Sequence, residues 1–161
     1  MILRKRKIDQ AYLRQILSPE VRDEEIDALC FATTLGDFIN EYLRGIATAE
    51  ITGTVNGKVS LKLPVVSYLV RLLAEGVDDD GALDFNISLG EKMVIEARFT
   101  RLPNVDETAH IVKVARLAGF DVRREAESLY FSVVIRATSI MQIYATSSED
   151  FMHQLIITFK M

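Results

Sequence analysis

The sequence predicts an α+β fold in which a mainly antiparallel sheet is covered on one face by helices and is preceded by an N-terminal helical hairpin. Two observations support this class. Several segments carry apolar residues at helical spacing, and others alternate apolar and polar residues around turn signals. The 161 residues are 49% hydrophobic, which is ample apolar material for a core.

The first 48 residues are predicted as two helices separated by Ser18-Pro19. The second is expected to run from Asp23 to Ile46, because acidic residues open it and a wide apolar stripe follows. The stripe either packs on its own domain or partly faces a second copy of the chain. The second alternative gives five expected interface residues: Ile26, Leu29, Phe38, Ile39 and Tyr42.

Three elements are predicted in the middle of the chain. The dipeptide Asn56-Gly57 between alternating residues is typical of a two-residue β-hairpin. Pro64 then suits the first turn of a helix that reaches Val77. Alternating residues on both sides of Gly90-Glu91 predict a second hairpin with a type II′ turn.

The last third of the chain is predicted as two helices and a hairpin. Asn104 with Glu107 resembles a capping box, and Gly119 is expected to end that helix. The segment from Glu125 to Ala137 fits either a helix or a strand, and we interpret it as a helix. Alternation predicts two final strands, with these faces: Met141, Ile143 and Ala145 on one, and Phe151, Leu155, Ile157 and Phe159 on the other.

Composition excludes several classes of protein. With 19 Lys and Arg against 23 Asp and Glu, the net charge of −4 argues against a general nucleic-acid binder. One cysteine and two histidines cannot form an internal disulfide or a closed Cys/His zinc site. No stretch approaches the roughly 18 apolar residues of a membrane span. We therefore expect a cytoplasmic protein.

The stretch VSLKLPVVSYLVRLLAEGVDDDGALDFNISLGEKMVIEARF resembles the first half of the histidine-kinase-like ATPase domain, the GHKL superfamily. The closing SIMQIYATSSEDFMHQLIITF is similar to that family's last hairpin. The resemblance runs from about Ala49 to the end and implies two parts, a helical segment 1–48 and a kinase-like domain 49–161.

The nucleotide motifs of that family are altered here. In its N-box an asparagine helps to hold Mg²⁺, and this sequence has Glu75-Gly76 at that place, so the resemblance makes Glu75 the metal candidate. An exposed acid near a helix end is the alternative. Where the family has D-x-G-x-G, with an aspartate that binds adenine, Arg98 and Phe99 occur, and REAESLYFSVVI lacks the glycines of a phosphate lid. We expect no cofactor, and ATP with Mg²⁺ only under an alternative function.

Other reactive residues give weaker signals. The resemblance extends to histidine phosphotransferases in which a helical hairpin precedes a degenerate kinase-like domain, but no histidine precedes His110. We expect His110 on a helix surface, His153 partly buried in a strand, and Cys30 buried and inert.

These inferences favour a non-catalytic regulatory protein of two-component-type signalling, which acts through a protein partner and as a homodimer. One alternative is a divergent ATP-dependent phosphotransferase that uses Glu75 for its metal. Another is an unrelated α+β module that binds a small apolar ligand between sheet and helices.

Overall fold

A computed structural model describes residues 10–77, 82–101, 104–137 and 147–160. Five helices and eight strands occur in these ranges. Their bounds are α1 Gln10–Ile16, β1 Glu24–Asp27, α2 Ala28–Tyr42, β2 Ala47–Thr52, β3 Gly57–Leu61, α3 Leu63–Glu75, β4 Leu83–Leu89, β5 Lys92–Phe99, α4 Val105–Ala118, β6 Asp121–Glu125, β7 Ser128–Val134, β8 Arg136–Ala137 and α5 Ser148–Lys160.

The larger sheet has the strand order β2-β4-β5-β7-β6. Its neighbours are antiparallel except β2 and β4, which are parallel. Residues alternate between buried and exposed along β4, so one face of the sheet is buried and the other is open to solvent. Helix α2 packs on β2, and α4 packs beside β6. The predicted α+β class is confirmed.

The hairpin of β4 and β5 is confirmed, but its turn differs from the prediction. Gly90 does not have the positive φ that the first central residue of a type II′ turn requires. The last β4–β5 pair is Leu89 with Met93, so three residues lie between its members; the third, Lys92, belongs to β5 through its pairing with β7. A longer connection removes the need for that turn type.

The hairpin predicted at Asn56-Gly57 is wrong, although both of its strands exist. β2 pairs with β4, whereas β3 joins a separate three-stranded sheet of order β1-β3-β8. Gly57 is needed for a different reason: a Cβ there would collide with Ile135 Cγ2 and lie 2.6 Å from the Arg136 carbonyl oxygen. A close approach of two strands, rather than a turn, requires glycine at this position.

The long helix predicted from Asp23 to Ile46 is also wrong at its start. Residues Glu24–Asp27 form β1, and Ile26 pairs with Val59 of β3. The Asp27 side chain accepts a hydrogen bond from the Cys30 amide at 3.0 Å, so it caps α2 and fixes the first turn there. A strand therefore separates the two helices of the predicted hairpin.

The two central helices are confirmed. α3 carries Pro64 in its first turn. The Asn104 side chain accepts a hydrogen bond from the Glu107 amide at 2.8 Å at the start of α4, and Gly119 ends that helix with φ +112°.

Two predictions near the end of the chain are wrong. The segment from Glu125 to Ala137 forms β7 and β8 instead of a helix, because β5 and β6 supply hydrogen-bonding partners on both sides of β7. The final predicted strand is α5, in which Phe151 and Leu155 are buried one turn apart and Ile157 is 39% exposed. The preceding strand, predicted on Met141, Ile143 and Ala145, lies outside the described residues.

One cluster of buried residues joins α2, the larger sheet, α3, α4 and α5. Within it, Phe31 stacks on Phe151 with ring centroids 4.8 Å apart, and Phe38 contacts Phe159 at 5.0 Å. The division into 1–48 and 49–161 stays a prediction. Among the described ranges, no helix combines the length and hydrophobicity that crossing a bilayer requires.

Candidate functional site

A small pocket opens where the second half of α3 lies against the first half of α4. We call it the α3–α4 pocket; it has a volume of about 130 Å³ and these lining residues: Leu72, Glu75, Gly76, Glu107, His110 and Ile111. It contains Glu75, the candidate metal ligand of the sequence. Ligand pockets usually measure about 300–1,000 Å³, so this space suits a side chain or a very small molecule.

Glu75 is held by an ion pair within α3. Arg71 Nε donates to Glu75 Oε1 at 2.8 Å, and the two side chains are 4% and 11% exposed. Arg71 Nη1 also donates to the Thr158 carbonyl oxygen of α5 at 2.9 Å. Because a buried guanidinium needs a compensating charge, loss of the Glu75 carboxylate alone would destabilise the folded chain.

The metal role of Glu75 stays a prediction. Any cation that binds its carboxylate has to compete with Arg71 for the same charge. In the part of the chain that the structure describes, no three or more His, Cys, Asp or Glu residues are grouped to hold a metal ion.

A tyrosine and a histidine connect α3 to α4 beside this ion pair. The hydroxyl of Tyr68 and His110 Nε2 lie 3.3 Å apart, and the two rings meet edge to face at 6.2 Å. Tyr68 is only 5% exposed, whereas His110 lies on the helix surface as expected. Burial raises the pKa of Tyr68, nearby Glu75 raises it further, and Arg71 opposes this effect.

Phe99 and Arg98, the two residues predicted near an adenine-binding position, have different surroundings. Phe99 is 1% exposed and belongs to the core. Arg98 is exposed on the open side of the sheet, with its Nη2 atom 3.8 Å from Glu96 Oε2. The aromatic ring therefore fills space inside the chain.

The five residues expected at a dimer interface separate into two groups. Ile26, Phe38 and Ile39 have no exposed surface and are covered within the chain. Leu29 and Tyr42 are 40% and 44% exposed. The interface stays a prediction, and these two residues are the ones available to a second copy.

Two expectations about reactive side chains are corrected. Cys30 is exposed rather than buried, because it lies in the first turn of α2 beside the capping residue Asp27. Partial burial raises the pKa of this thiol, and the charge and hydrogen bond of Asp27 add to the effect. His153 is exposed on α5, not partly buried in a strand.

The sequence did not identify Tyr68 and Arg71 as members of the site. Arg71 precedes Glu75 by four residues, a spacing that predicts an ion pair on any helix, so this signal was available. The contact between Tyr68 and His110 joins residues 42 positions apart and depends on how α3 packs on α4.

Comparison with known proteins finds similarity among solved structures but none by sequence. No protein-family model matches this chain, and no curated protein matches it. Among solved structures, it is similar to the cytoplasmic segment of histidine kinase QseC, with a TM-score of 0.47 and 14% sequence identity. The likeness covers 86% of this chain and 100% of that one. At these values the similarity is distant.

Proposed function

We propose that this chain is a non-catalytic regulatory domain that acts through contacts with a signalling protein. One observation carries the proposal. The side chains near two nucleotide-contact positions of the family that this sequence resembles already make contacts within the chain. Phe99 fills the core, and Glu75 neutralises buried Arg71.

The adenine position supports this proposal through its chemistry. Recognition of an adenine amino group needs an oriented acceptor that a ligand can reach. Either Phe99 or Arg98 stands near that position: Phe99 has no acceptor atom and is 1% exposed, and the exposed guanidinium of Arg98 only donates. A purine placed there would have to displace an aromatic ring from the core.

The metal position supports it through electrostatics. A hard cation such as Mg²⁺ prefers several oxygen ligands, including carboxylates that are available to it. The ion pair with Arg71 at 2.8 Å reduces the negative charge that Glu75 presents to the α3–α4 pocket. A cation that drew Glu75 away from Arg71 would break an ion pair between two buried side chains, which is costly.

Titration calorimetry with Mg²⁺-ATP, accompanied by amide NMR spectra of the full chain, tests the proposal. We expect no heat of binding and no shift of the α3 and α4 amides. Micromolar binding that shifts these amides and is lost in Glu75→Gln would instead favour the divergent phosphotransferase.

The proposal includes a homodimer, for which Leu29 and Tyr42 provide exposed apolar surface on α2. Sedimentation velocity at micromolar concentration should show a dimer that Leu29→Asp converts to monomer. Val105→Asp is the matched control, since Val105 is an exposed apolar residue on α4. A monomer in the unmodified chain would refute the dimer, but not the absence of nucleotide binding.

A further inference from the structure

A second and larger opening lies between α2 and the start of α5, away from the α3–α4 pocket. We call it the α2–α5 groove; its volume is about 380 Å³ and its lining residues are Thr34, Asp37, Ser148, Glu149, Met152, His153 and Ile156. This volume falls within the range of ligand sites, and the groove is wide open to solvent. Such a shape suits an extended or helical segment better than an enclosed small molecule.

The groove carries negative charge on both of its sides. Asp37 projects from α2 and Glu149 from the first turn of α5, and both are exposed. Within the described ranges, neither carboxylate forms an ion pair. Two carboxylates that face one groove without forming an ion pair in the described ranges attract a cationic group.

A buried hydroxyl adds a hydrogen-bonding group to the groove. Thr34 is 5% exposed, and in the described part of the chain its hydroxyl has no hydrogen-bond partner. The hydroxyl of Thr158, also in a helix, bonds the carbonyl oxygen four residues earlier at 2.9 Å. A buried hydroxyl without a partner is unfavourable, so a polar group that enters the groove gains from meeting it.

Two apolar side chains complete the surface. Met152 and Ile156 are one turn apart on α5, are half-buried and line the groove. Flexible methionine adapts to partners of different shape. The groove therefore offers apolar contact between acidic sides, which is complementary to an amphipathic segment with basic residues.

We propose that the α2–α5 groove binds a positively charged amphipathic segment of a partner protein. Its apolar side chains pack on Met152 and Ile156, and its cations pair with Asp37 and Glu149. A second copy of the chain is a poorer occupant, because its proposed contact uses Leu29 and Tyr42, which do not line the groove. This inference rests on the proposed function as a protein-binding domain and specifies the surface and the partner's chemistry.

The test uses a designed helical peptide with leucine on one face and lysine on the other, and a counterpart with glutamate in place of lysine. Peptide binding to the full chain is measured by fluorescence anisotropy, and the contact surface by amide NMR shifts. We expect the lysine peptide to bind and to shift amides of α2 and α5 around the groove. The glutamate peptide should not bind.

A pair of charge-matched variants makes the test specific. Asp37→Asn with Glu149→Gln should weaken the lysine peptide by about tenfold, since two ion pairs are lost. Glu50→Gln with Glu91→Gln removes the same charge elsewhere on exposed positions and should leave affinity within about twofold. Circular dichroism spectra of both variants should match that of the unmodified chain, which checks that they fold.

Three results would overturn the groove assignment. The lysine peptide does not bind, both double variants weaken its affinity equally, or its amide shifts are spread over exposed acidic residues outside the groove as well. Failure of the proposed function is seen separately, as Mg²⁺-ATP binding that shifts amides of α3 and α4. The two sets of amides distinguish the two failures.

Discussion

Arg71 is a buried cation whose carboxylate partner lies one helical turn away. Because Glu75 compensates its charge at 2.8 Å, we expect Glu75→Ala to lower the free energy of unfolding by about 3 kcal/mol. The control is Glu125→Ala, which breaks an exposed pair with Arg123 and should cost less than about 1 kcal/mol. Urea unfolding measures both. Equal losses of unfolding free energy in the two variants would mean that the buried ion pair contributes no more than the exposed one.

Thr34 and Thr158 are two buried helical threonines whose hydroxyls differ in their partners. Thr34→Val removes a hydroxyl without a partner in the described residues, so the free energy of unfolding should stay constant or rise. Thr158→Val removes contacts with the Gln154 carbonyl oxygen at 2.9 Å and the Tyr12 hydroxyl at 3.2 Å, and should cost about 1–2 kcal/mol. Thermal unfolding compares the two variants. A larger loss for Thr34→Val would show that its hydroxyl is satisfied.

Tyr68 makes stability depend on alkaline pH. The unfolded chain releases a tyrosine proton near pH 10, whereas burial and Glu75 raise the folded pKa of Tyr68 above this value. The stabilisation is complete below about pH 10 and is lost as the pH rises through the folded pKa, because the unfolded state then binds fewer protons. Urea midpoints from about pH 9 to about pH 11 should fall less steeply in Tyr68→Phe. Parallel curves would contradict the assignment.

In the candidate site, contacts within one helix can be predicted from the sequence, whereas contacts between helices cannot. The metal role of Glu75 stays a prediction, whereas its ion pair with Arg71 is local enough to predict from the spacing alone. Tyr68 and His110 meet only because α3 and α4 lie side by side. Alternation along β5 predicts a buried Phe99, but which residues its ring packs against depends on the tertiary fold.

At the scale of elements, helices with local capping signals were predicted from the sequence, whereas strands that depend on distant partners were not. α3 and α4 begin and end at proline, asparagine and glycine signals that act within one turn, and both were predicted. The sequence of β7 alone fits a helix equally well. It forms a strand because β5 and β6 supply hydrogen-bonding partners on its two sides. The same reason explains β1, whose partner β3 begins 30 residues after the end of β1.

Gly57 gives an element-scale prediction about the smaller sheet. A Cβ at this position would collide with Ile135 and with the backbone of Arg136, which pushes β3 away from β8. Gly57→Ala should therefore lower the midpoint of thermal unfolding by several degrees, an effect of about 1–2 kcal/mol. Gly90→Ala is the control, since a Cβ at Gly90 has no atom within 4 Å. An unchanged midpoint in Gly57→Ala would show that β8 moves without cost.

At the scale of the whole molecule, α5 connects both proposed surfaces. It contacts α2 through Phe151 and Phe159 and borders the α2–α5 groove. Its Thr158 carbonyl accepts a hydrogen bond from Arg71, which in turn holds Glu75 at the α3–α4 pocket. The α3–α4 pocket and the α2–α5 groove therefore both depend on contacts made by α5.

This shared core predicts how the chain unfolds. Because Phe151 packs on Phe31 of α2 and Phe131 lies in the central sheet, both belong to one apolar cluster. Phe151→Ala and Phe131→Ala should each destabilise by about 3–5 kcal/mol and shift the same single transition, seen alike by far-UV and near-UV circular dichroism. Two separate transitions, with Phe151→Ala and Phe131→Ala affecting different ones, would instead mean that α2 with α5 unfolds independently of the larger sheet. Under that outcome α2 would fold apart from the sheet, although Gly36 lies close enough to β2 that an added Cβ would be 3.2 Å from Ile51 Cδ1. So close a packing of helix on strand favours the single transition.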